Sequence, residues 1–223
     1  MRVLGIDASG PAVAVGLAEG ELVLAECMWT RPRTASNHLV EWVKAVVAEF
    51  GWPEGIGVGL GPGSFTGTRI AVTVAKMLAW ARGIPVVGVS SLAAWAAAAP
   101  PGTVVAVTSE RRGAAFYAGL YRVADPEPVA LMAEAAVDGA LPDPFPWPEP
   151  LWLVGPLAAD REWHPRFGRR VEPRALPLYG SWVARLAGRR LVAGEAVPPD
   201  RLMPSYLRPP AVSRRAARGR EEE

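Results

Sequence analysis

The residues best suited to chemistry form a glycine-rich turn between an apolar strand and a helix. The turn reads Gly61-Pro62-Gly63-Ser64-Phe65-Thr66-Gly67. Its glycines permit positive φ and close backbone approach, and Ser64 or Thr66 is placed to cap the following helix. The amide N–H groups at that helix start would favour an anion or a carbonyl oxygen. The turn is therefore a candidate binding site.

The turn differs from the sequence patterns that bind phosphate in other proteins. A P-loop requires Gly-Lys-Ser/Thr, whereas Gly67 is followed by Thr68 and Arg69. The dinucleotide fingerprint requires a third glycine, which Gly61-Pro62-Gly63 lacks at the necessary offset. Ser64 does not lie in a Gly-x-Ser-x-Gly elbow, so a turn or capping role is favoured over nucleophilic catalysis.

A second candidate is Asp7-Ala8-Ser9, at the end of the first predicted strand. Sugar kinases, actin and the Hsp70 chaperones approach a nucleotide phosphate and its metal at this position. A carboxylate would serve the cation, and turn amides with a hydroxyl would serve the phosphate. The equally weighted alternative is that Asp7 and Ser9 stabilise the turn.

Metal binding and acid–base catalysis have few candidate residues. Cys27 is the only cysteine, and His38 and His164 are the only histidines. Trp42 occupies the i+4 position from His38, so no histidine pair is present on that helix. The sequence predicts no catalytic residue, no metal site and no cofactor of the chain's own.

The composition indicates a folded cytoplasmic protein. With 223 residues, 50% of them apolar, the chain allows one large domain or two small ones. No run approaches about 18 apolar residues, so no membrane span is predicted. Asp7 follows the first residue too closely for a signal peptide. The net charge of +2 is weak evidence for nucleic-acid binding.

Hydrophobic periodicity predicts a mixed α/β first half. The expected elements are an antiparallel meander of strands 2–7, 12–18 and 22–28, helix 38–50, strand 56–60, helix 67–81, strand 85–89 and an alanine-rich helix to about residue 99. The alternation of strands and helices predicts parallel pairing with right-handed crossovers.

The second half begins at the boundary signal Pro100-Pro101-Gly102. Its predicted strands 103–109 and 114–123 repeat the opening hairpin, so we expect a related second lobe. Further expected elements are a strand at 151–154, a helix at 179–187 and an extended proline-rich surface loop at 141–150. The predicted domains are 1–101, a smaller lobe at 102–210 and a flexible tail at 211–223.

Helices 38–50 and 67–81 are apolar on more than one side, which exceeds what packing on one sheet requires. The alternative is that both helices only pack on their own sheet. We favour a partner-binding surface, formed by Leu39, Trp42, Val43, Val46, Ile70, Val74, Met77 and Leu78.

The segment from Gly61 to Ile70 resembles the signature of the TsaB (YeaZ) family of bacterial tRNA threonylcarbamoyladenosine biosynthesis proteins. Supporting matches are Gly5 to Ser9, His38, Val89 to Leu92 and Pro204 to Arg208. The resemblance implies an α/β protein of the actin-like, Hsp70-like superfamily. Such a protein has two RNase H-like lobes, each with a mixed sheet flanked by helices.

The resemblance also implies a function. Members of the family are non-catalytic scaffold subunits that bind and activate the paralogue TsaD, which transfers a threonylcarbamoyl group to N6 of adenosine 37 in tRNA. The ATPase TsaE joins them in a ternary complex, and a homodimer forms in the absence of TsaD. ATP or ADP is expected only at the complex interface, near Asp7, Ser9, Gly61, Gly63 and Ser64, and tRNA is expected to be contacted only indirectly.

One departure concerns the start of the second lobe, where Ser109-Glu110-Arg111 replaces the family's usual Asp-Ala-Arg. A carboxylate role at Ser109 is therefore not carried over, and Glu110 is the candidate substitute. Two other functions stay as alternatives. An ATP-dependent sugar-kinase-like enzyme would use Asp7, and a peptidase is disfavoured because it needs a nucleophile–base pair or a metal site.

Overall fold

The computed structural model describes residues 1–30, 35–108, 115–125, 127–138, 151–159, 171–174, 176–177 and 179–208. Two five-stranded sheets organise this part of the chain. No helix in it is long and apolar enough to cross a membrane. The predicted loop at 141–150, the tail at 211–223 and Ser109-Glu110-Arg111 lie outside the described residues.

The first sheet and its helices come from the first half of the chain. The elements are β1 (Arg2–Asp7), β2 (Val13–Glu19), β3 (Leu22–Trp29), α1 (Ala35–Phe50), β4 (Gly55–Gly59), α2 (Phe65–Arg82), β5 (Val86–Val89) and α3 (Ser91–Ala96). The strand order is β3-β2-β1-β4-β5. β1 to β3 form the predicted antiparallel meander. β4 pairs in parallel with β1, and β5 pairs in parallel with β4, as predicted.

The second sheet repeats this arrangement. Its strands are β6 (Val104–Thr108), β7 (Ala115–Arg122), β8 (Val129–Asp138), β9 (Leu151–Val154) and β10 (Val171–Arg174), in the order β10-β9-β6-β7-β8. Read from its other edge, this is the order of the first sheet, with antiparallel β6, β7 and β8 and parallel β9 and β10. The expectation of a related second half is confirmed. β8 and β10 were not predicted.

Helix α4 (Gly180–Val192) follows the second sheet in sequence but packs on β1, β2 and β4 of the first sheet. The predicted domain boundary at 101/102 lies between the strands of the two sheets. Helix α4 belongs by sequence to the second predicted domain, but it packs on the first sheet. α3 and α4 lie in a core between the sheets. A second core lies beneath α1 and α2, on the other face of the first sheet.

Candidate functional site

An apolar groove runs along the outer surface between α1 and α2. It has a volume of about 530 Å³. The residues that line it are Val40, Val43, Lys44, Val47, Ala48, Trp52, Thr73, Val74, Met77 and Leu78. Met77 is 56% exposed, and Val40 and Trp52 are also exposed. A contiguous apolar surface of this kind typically marks an interaction site.

The predicted interface residues separate into two groups in the structure. Four of them line the groove: Val74, Met77 and Leu78, together with Val43, which is only 3% exposed and also belongs to the core beneath α1. Leu39 and Val46 are instead buried in the core beneath α1, so we correct their assignment to an exposed surface. Trp42 and Ile70 are half-buried against the same core. The apolar positions of α1 thus serve the sheet on one side and the groove on the other.

The interface prediction missed two exposed tryptophans, Trp52, which lines the groove, and Trp80. Trp80, in the last turns of α2, is 75% exposed. Trp52 lies in the connection after α1, and its ring is 4.3 Å from the guanidinium carbon of Arg82. Trp52 lies outside α2 in the sequence and comes beside that helix only in the folded chain. The signal for Trp80 was an aromatic residue outside the main helical stripe.

The start of α2 is set by the glycine turn. Ser64 caps the helix, as predicted, because its Oγ accepts a hydrogen bond from the Gly67 N–H at 3.3 Å. Gly61 has φ of 89° and precedes Pro62 through a cis peptide bond. The helix ends at Gly83, whose φ of 63° is the left-handed conformation expected at a helix stop.

The turn also lies directly on the chain after β1. The Ser64 N–H donates to the Ser9 carbonyl at 2.6 Å. A Cβ at Gly63 would overlap the Ser9 carbonyl, and one at Gly67 would overlap the Ala8 carbonyl. Glycine is therefore required at both positions because two backbone segments touch there.

Asp7 joins three elements at this point. One carboxylate oxygen accepts hydrogen bonds from the Ser9 N–H at 2.7 Å and the Ser9 hydroxyl at 2.8 Å. The other accepts from the Ser91 hydroxyl at 2.5 Å, and Ser91 Oγ accepts in turn from the Gly61 N–H at 3.0 Å. A Cβ at Gly59 would overlap the carboxylate. The network links the end of β1, the glycine turn and the start of α3.

The burial of this network limits what it can bind. Asp7 and Ser9 are both 0% exposed. Burial raises the pKa of Asp7, against hydrogen bonds from Ser91 and Ser9 that lower it. Neither side chain is open to a ligand in this structure, so they do not fit a direct contact with a nucleotide phosphate or its cation. The half-buried Gly63 and Ser64 are closer to the surface, and nucleotide contact through this turn stays a prediction.

His38 lies in an aromatic cluster at the start of α1. Its ring centroid is 4.8 Å from that of Trp29 and 6.0 Å from that of Trp42. Its Nδ1 is 3.3 Å from Glu41 Oε2. Trp42, at the i+4 position that the second member of a histidine pair would occupy, therefore stacks on His38. Among the described residues, no three His, Cys, Asp or Glu side chains are grouped to hold a metal ion.

Comparisons with known proteins are consistent with this architecture. The family model for TsaD, tRNA N6-adenosine threonylcarbamoyltransferase, matches residues 31–140. The tRNA threonylcarbamoyladenosine biosynthesis protein TsaB of Bacillus subtilis is 34% identical over 128 residues, which are 55% of this chain and 56% of that protein. TsaB of Escherichia coli is 33% identical over 96 residues, or 41% of each chain. The chain spans about half the length of these relatives.

A solved structure gives a broader match. YeaZ from Pseudomonas aeruginosa superposes with a TM-score of 0.79 at 27% identity, covering 92% of this chain and 99% of that one. The repeated strand order and this likeness define a two-lobed α/β protein of the actin-like superfamily, with RNase H-like sheets. Within that class, the chain is similar to proteins named TsaB and YeaZ.

Proposed function

We propose that this chain is a non-catalytic subunit in the synthesis of tRNA threonylcarbamoyladenosine. Its similarity to relatives from Bacillus subtilis and Escherichia coli supports this proposal, because those proteins are named as biosynthesis proteins of that modification. The chain would act as a scaffold, and the catalytic paralogue of the TsaD type would transfer the threonylcarbamoyl group. An ATPase of the TsaE type would complete the assembly.

The groove between α1 and α2 would be the binding surface for the TsaD-type partner. The observation that supports this role is an apolar groove with a volume of about 530 Å³, in which the Met77 side chain is 56% exposed. Burying such side chains at an interface removes apolar area from water and supplies the main favourable energy of association. In the absence of that partner, the same groove would pair with a second copy of the chain.

The closed Asp7 network supports a non-catalytic role. A carboxylate that acts on substrate or metal must have a face available to it. Here both oxygens of Asp7 accept hydrogen bonds from the chain itself, and the side chain is buried. Any ATP or ADP would then be held at the interface with a partner, where another chain completes the contacts.

The substitution Met77→Glu tests the interface. We expect binding to the TsaD-type partner to weaken by at least about tenfold, because a carboxylate would be desolvated in an apolar contact. Stability should change by less than about 0.5 kcal/mol, since the side chain is exposed. Binding would be measured by titration calorimetry and stability by urea unfolding.

Met203→Glu is the matched control, because Met203 is also exposed, at 61%, but does not line the groove. Its partner binding should match that of the unmodified chain. A folded Met77→Glu variant that binds with unchanged affinity would refute the assigned surface. Mass-resolved chromatography of the same variants would show whether a second copy uses the groove, and a dimer that survives Met77→Glu would contradict that use.

A further inference from the structure

The segment after α4, residues 196–208, crosses from the first sheet to the second, and we name it the C-terminal strap. The Val197 N–H donates to the Val86 carbonyl at 2.9 Å, in an isolated antiparallel bridge beside β5. The Arg208 guanidinium contacts the carboxylate of Asp138, at the end of β8, at 2.8 Å. The strap therefore connects the edges of the two sheets.

The contacts that attach the strap to the rest of the fold become weaker from Leu202 towards Arg208. Leu202 is 3% exposed and belongs to the core under α2. Beyond it, Met203 is 61% exposed, Tyr206 is exposed, and the Arg208–Asp138 pair lies at the surface. Exposed ion pairs contribute little to stability and are screened by salt. Leu202 is thus the anchor, and residues 203–208 are bound by contacts that can open without loss of the core.

These outer residues lie on the start of α2. The Tyr206 hydroxyl accepts a hydrogen bond from Arg69 Nε at 2.7 Å, and the Tyr206 ring centroid is 5.3 Å from that of Phe65. The guanidinium carbon of Arg69 is 3.8 Å from the Phe65 ring centroid. The Ser205 N–H donates to the Leu60 carbonyl at 2.8 Å, directly before the glycine turn.

An unpartnered hydroxyl lies under this contact. Thr68 Oγ1 is buried and has no hydrogen-bond partner within the part of the chain that the structure describes. Thr68 Oγ1 and the Ser205 carbonyl oxygen each lie 3.6 Å from the position that a Cβ would take at Gly61. A buried hydroxyl without a partner is unfavourable, so the closed arrangement leaves a polar group that opening would satisfy with water.

We propose that residues 203–208 form a releasable latch on the start of α2. When closed, the latch ties the glycine turn to β8 through Tyr206 and Arg208. When open, it uncovers the Leu60 carbonyl and the Thr68 hydroxyl and loosens the first turn of α2. A change at the β8 edge is thereby transmitted to the helix that lines the α1–α2 groove.

Amide hydrogen exchange of the 223-residue chain tests the latch, using Tyr206→Ala, Tyr206→Phe and the control Leu22→Ala, at an exposed residue of β3 outside the latch. Several amides between 60 and 68 are hydrogen-bonded, so their exchange reports opening. We expect roughly tenfold faster exchange over 60–68 in Tyr206→Ala and a smaller increase in Tyr206→Phe, which loses only the hydroxyl acceptor. Leu22→Ala should leave exchange over 60–68 and 203–208 unchanged.

Two results would overturn the latch. Faster exchange confined to 203–208 would make the strap a passive tail, and equally faster exchange in β1 and α4 would mean general destabilisation. Asp138→Asn tests the link to the second sheet. It should speed exchange over 203–208, with a smaller increase over 60–68, and unchanged exchange in both segments would contradict the link.

Discussion

The two faces of the first sheet carry their helices in different ways. On the outer face, branched side chains such as those of Leu4, Ile6 and Val58 separate α1 and α2 from the strands. The gap between those two helices remains as the apolar groove. On the inner face, α4 meets the strands at glycines, and helix backbone lies directly on strand backbone.

The glycines explain why α4 packs directly on the backbone of the inner face, which we call the closed face. A Cβ at Gly5 would overlap the Gly180 carbonyl oxygen, and one at Gly16 would overlap the backbone nitrogen of Ser181. A Cβ at Gly57 would overlap the Cβ of Ala187. Glycine within a strand is locally unfavourable, and it commonly marks a place where another backbone approaches closely.

Charged groups fix both ends of α4 on this inner face. The carboxylate of Glu26 accepts from the N–H groups of Gly180 and Ser181, each at 2.8 Å, and so satisfies the helix start. The pKa of Glu26 is raised above its ordinary value because the carboxyl is largely buried, and the hydrogen bonds from Ser181 and Gly180 only partly offset this rise. Near the other end, Arg190 donates to both oxygens of Glu127, at 3.1 and 3.0 Å. The hydrogen bonds to Glu127 raise the pKa of Arg190.

The contrast between the faces separates cohesion from recognition. Backbone contact through glycine tolerates almost no substitution, and α4 lies between the two sheets, so this face holds the lobes together. Side chains on the outer face can change without moving the strands. A surface that binds a partner can therefore vary there while the fold is kept.

The largest expected effect comes from filling the closed face. Gly5→Val should lower the free energy of unfolding by roughly 3 kcal/mol or more, since its side chain would overlap the backbone of α4 at Gly180 and Ala184. Urea unfolding would measure the loss.

Gly188→Ala, on the helix α4 that Gly5 contacts, is the control. Its Cβ would lie 3.4 Å from a methyl of Val3, an ordinary contact, and alanine favours helix, so stability should rise by about 0.5–1 kcal/mol. A Gly5→Val protein as stable as the unmodified chain would show that α4 can move away from the sheet, and the distinction between the faces would fail.

A second comparison uses adjacent residues of α1. Leu39 is 0% exposed and packs on the sheet, whereas Val40 is exposed and lines the groove. Leu39→Ala should cost about 3 kcal/mol of stability, because it leaves a cavity in the core. Val40→Ala should change stability by less than about 0.5 kcal/mol but weaken partner binding. Thermal unfolding and calorimetric titration would separate the two effects, and the reverse assignment would disprove the outer-face model.

The first half of the fold could be predicted because its signals are local. Alternating apolar residues define β1 to β3, Ser64 caps α2 and Gly83 ends it. β8 was missed because its sequence, VALMAEAAVD, is alanine-rich and alternates only weakly. The docking of α4 was also missed. Its cause is spread over Gly5, Gly16 and Gly57, whose need for glycine appears only when the distant helix is in place.

The same limit applies to the candidate site. Helical periodicity identified the apolar positions of α1 and α2 but could not decide which side of each helix faces the sheet. Leu39 of α1, which is buried, and Leu78 of α2, which lines the groove, were therefore placed in one surface. The Asp7-Ala8-Ser9 segment was recognised as important, and the alternative that it stabilises a turn was open. Ser91, which lies 84 residues after Asp7 in the sequence, was not identified as a hydrogen-bond partner of Asp7.

The smallest expected effect concerns the buried charge of the closed face, Asp7. Because its pKa is raised above 3.8 in the folded chain, the native state holds the proton more tightly than the unfolded state. Its contribution to stability is therefore full below pH 3.8 and is lost as pH rises through the folded pKa, by about 1.4 kcal/mol per unit of difference.

Asp7→Asn removes this titration and should itself cost about 1 kcal/mol in altered hydrogen bonds. The stability of the unmodified chain relative to Asp7→Asn, measured by urea unfolding, should therefore fall as the pH rises above 3.8. Asp200→Asn, at an exposed carboxylate, is the control for the removal of one negative charge. A constant difference between Asp7→Asn and the unmodified chain would mean that Asp7 is as easily ionised as in the unfolded chain. The inner face would then not exclude water at the end of β1.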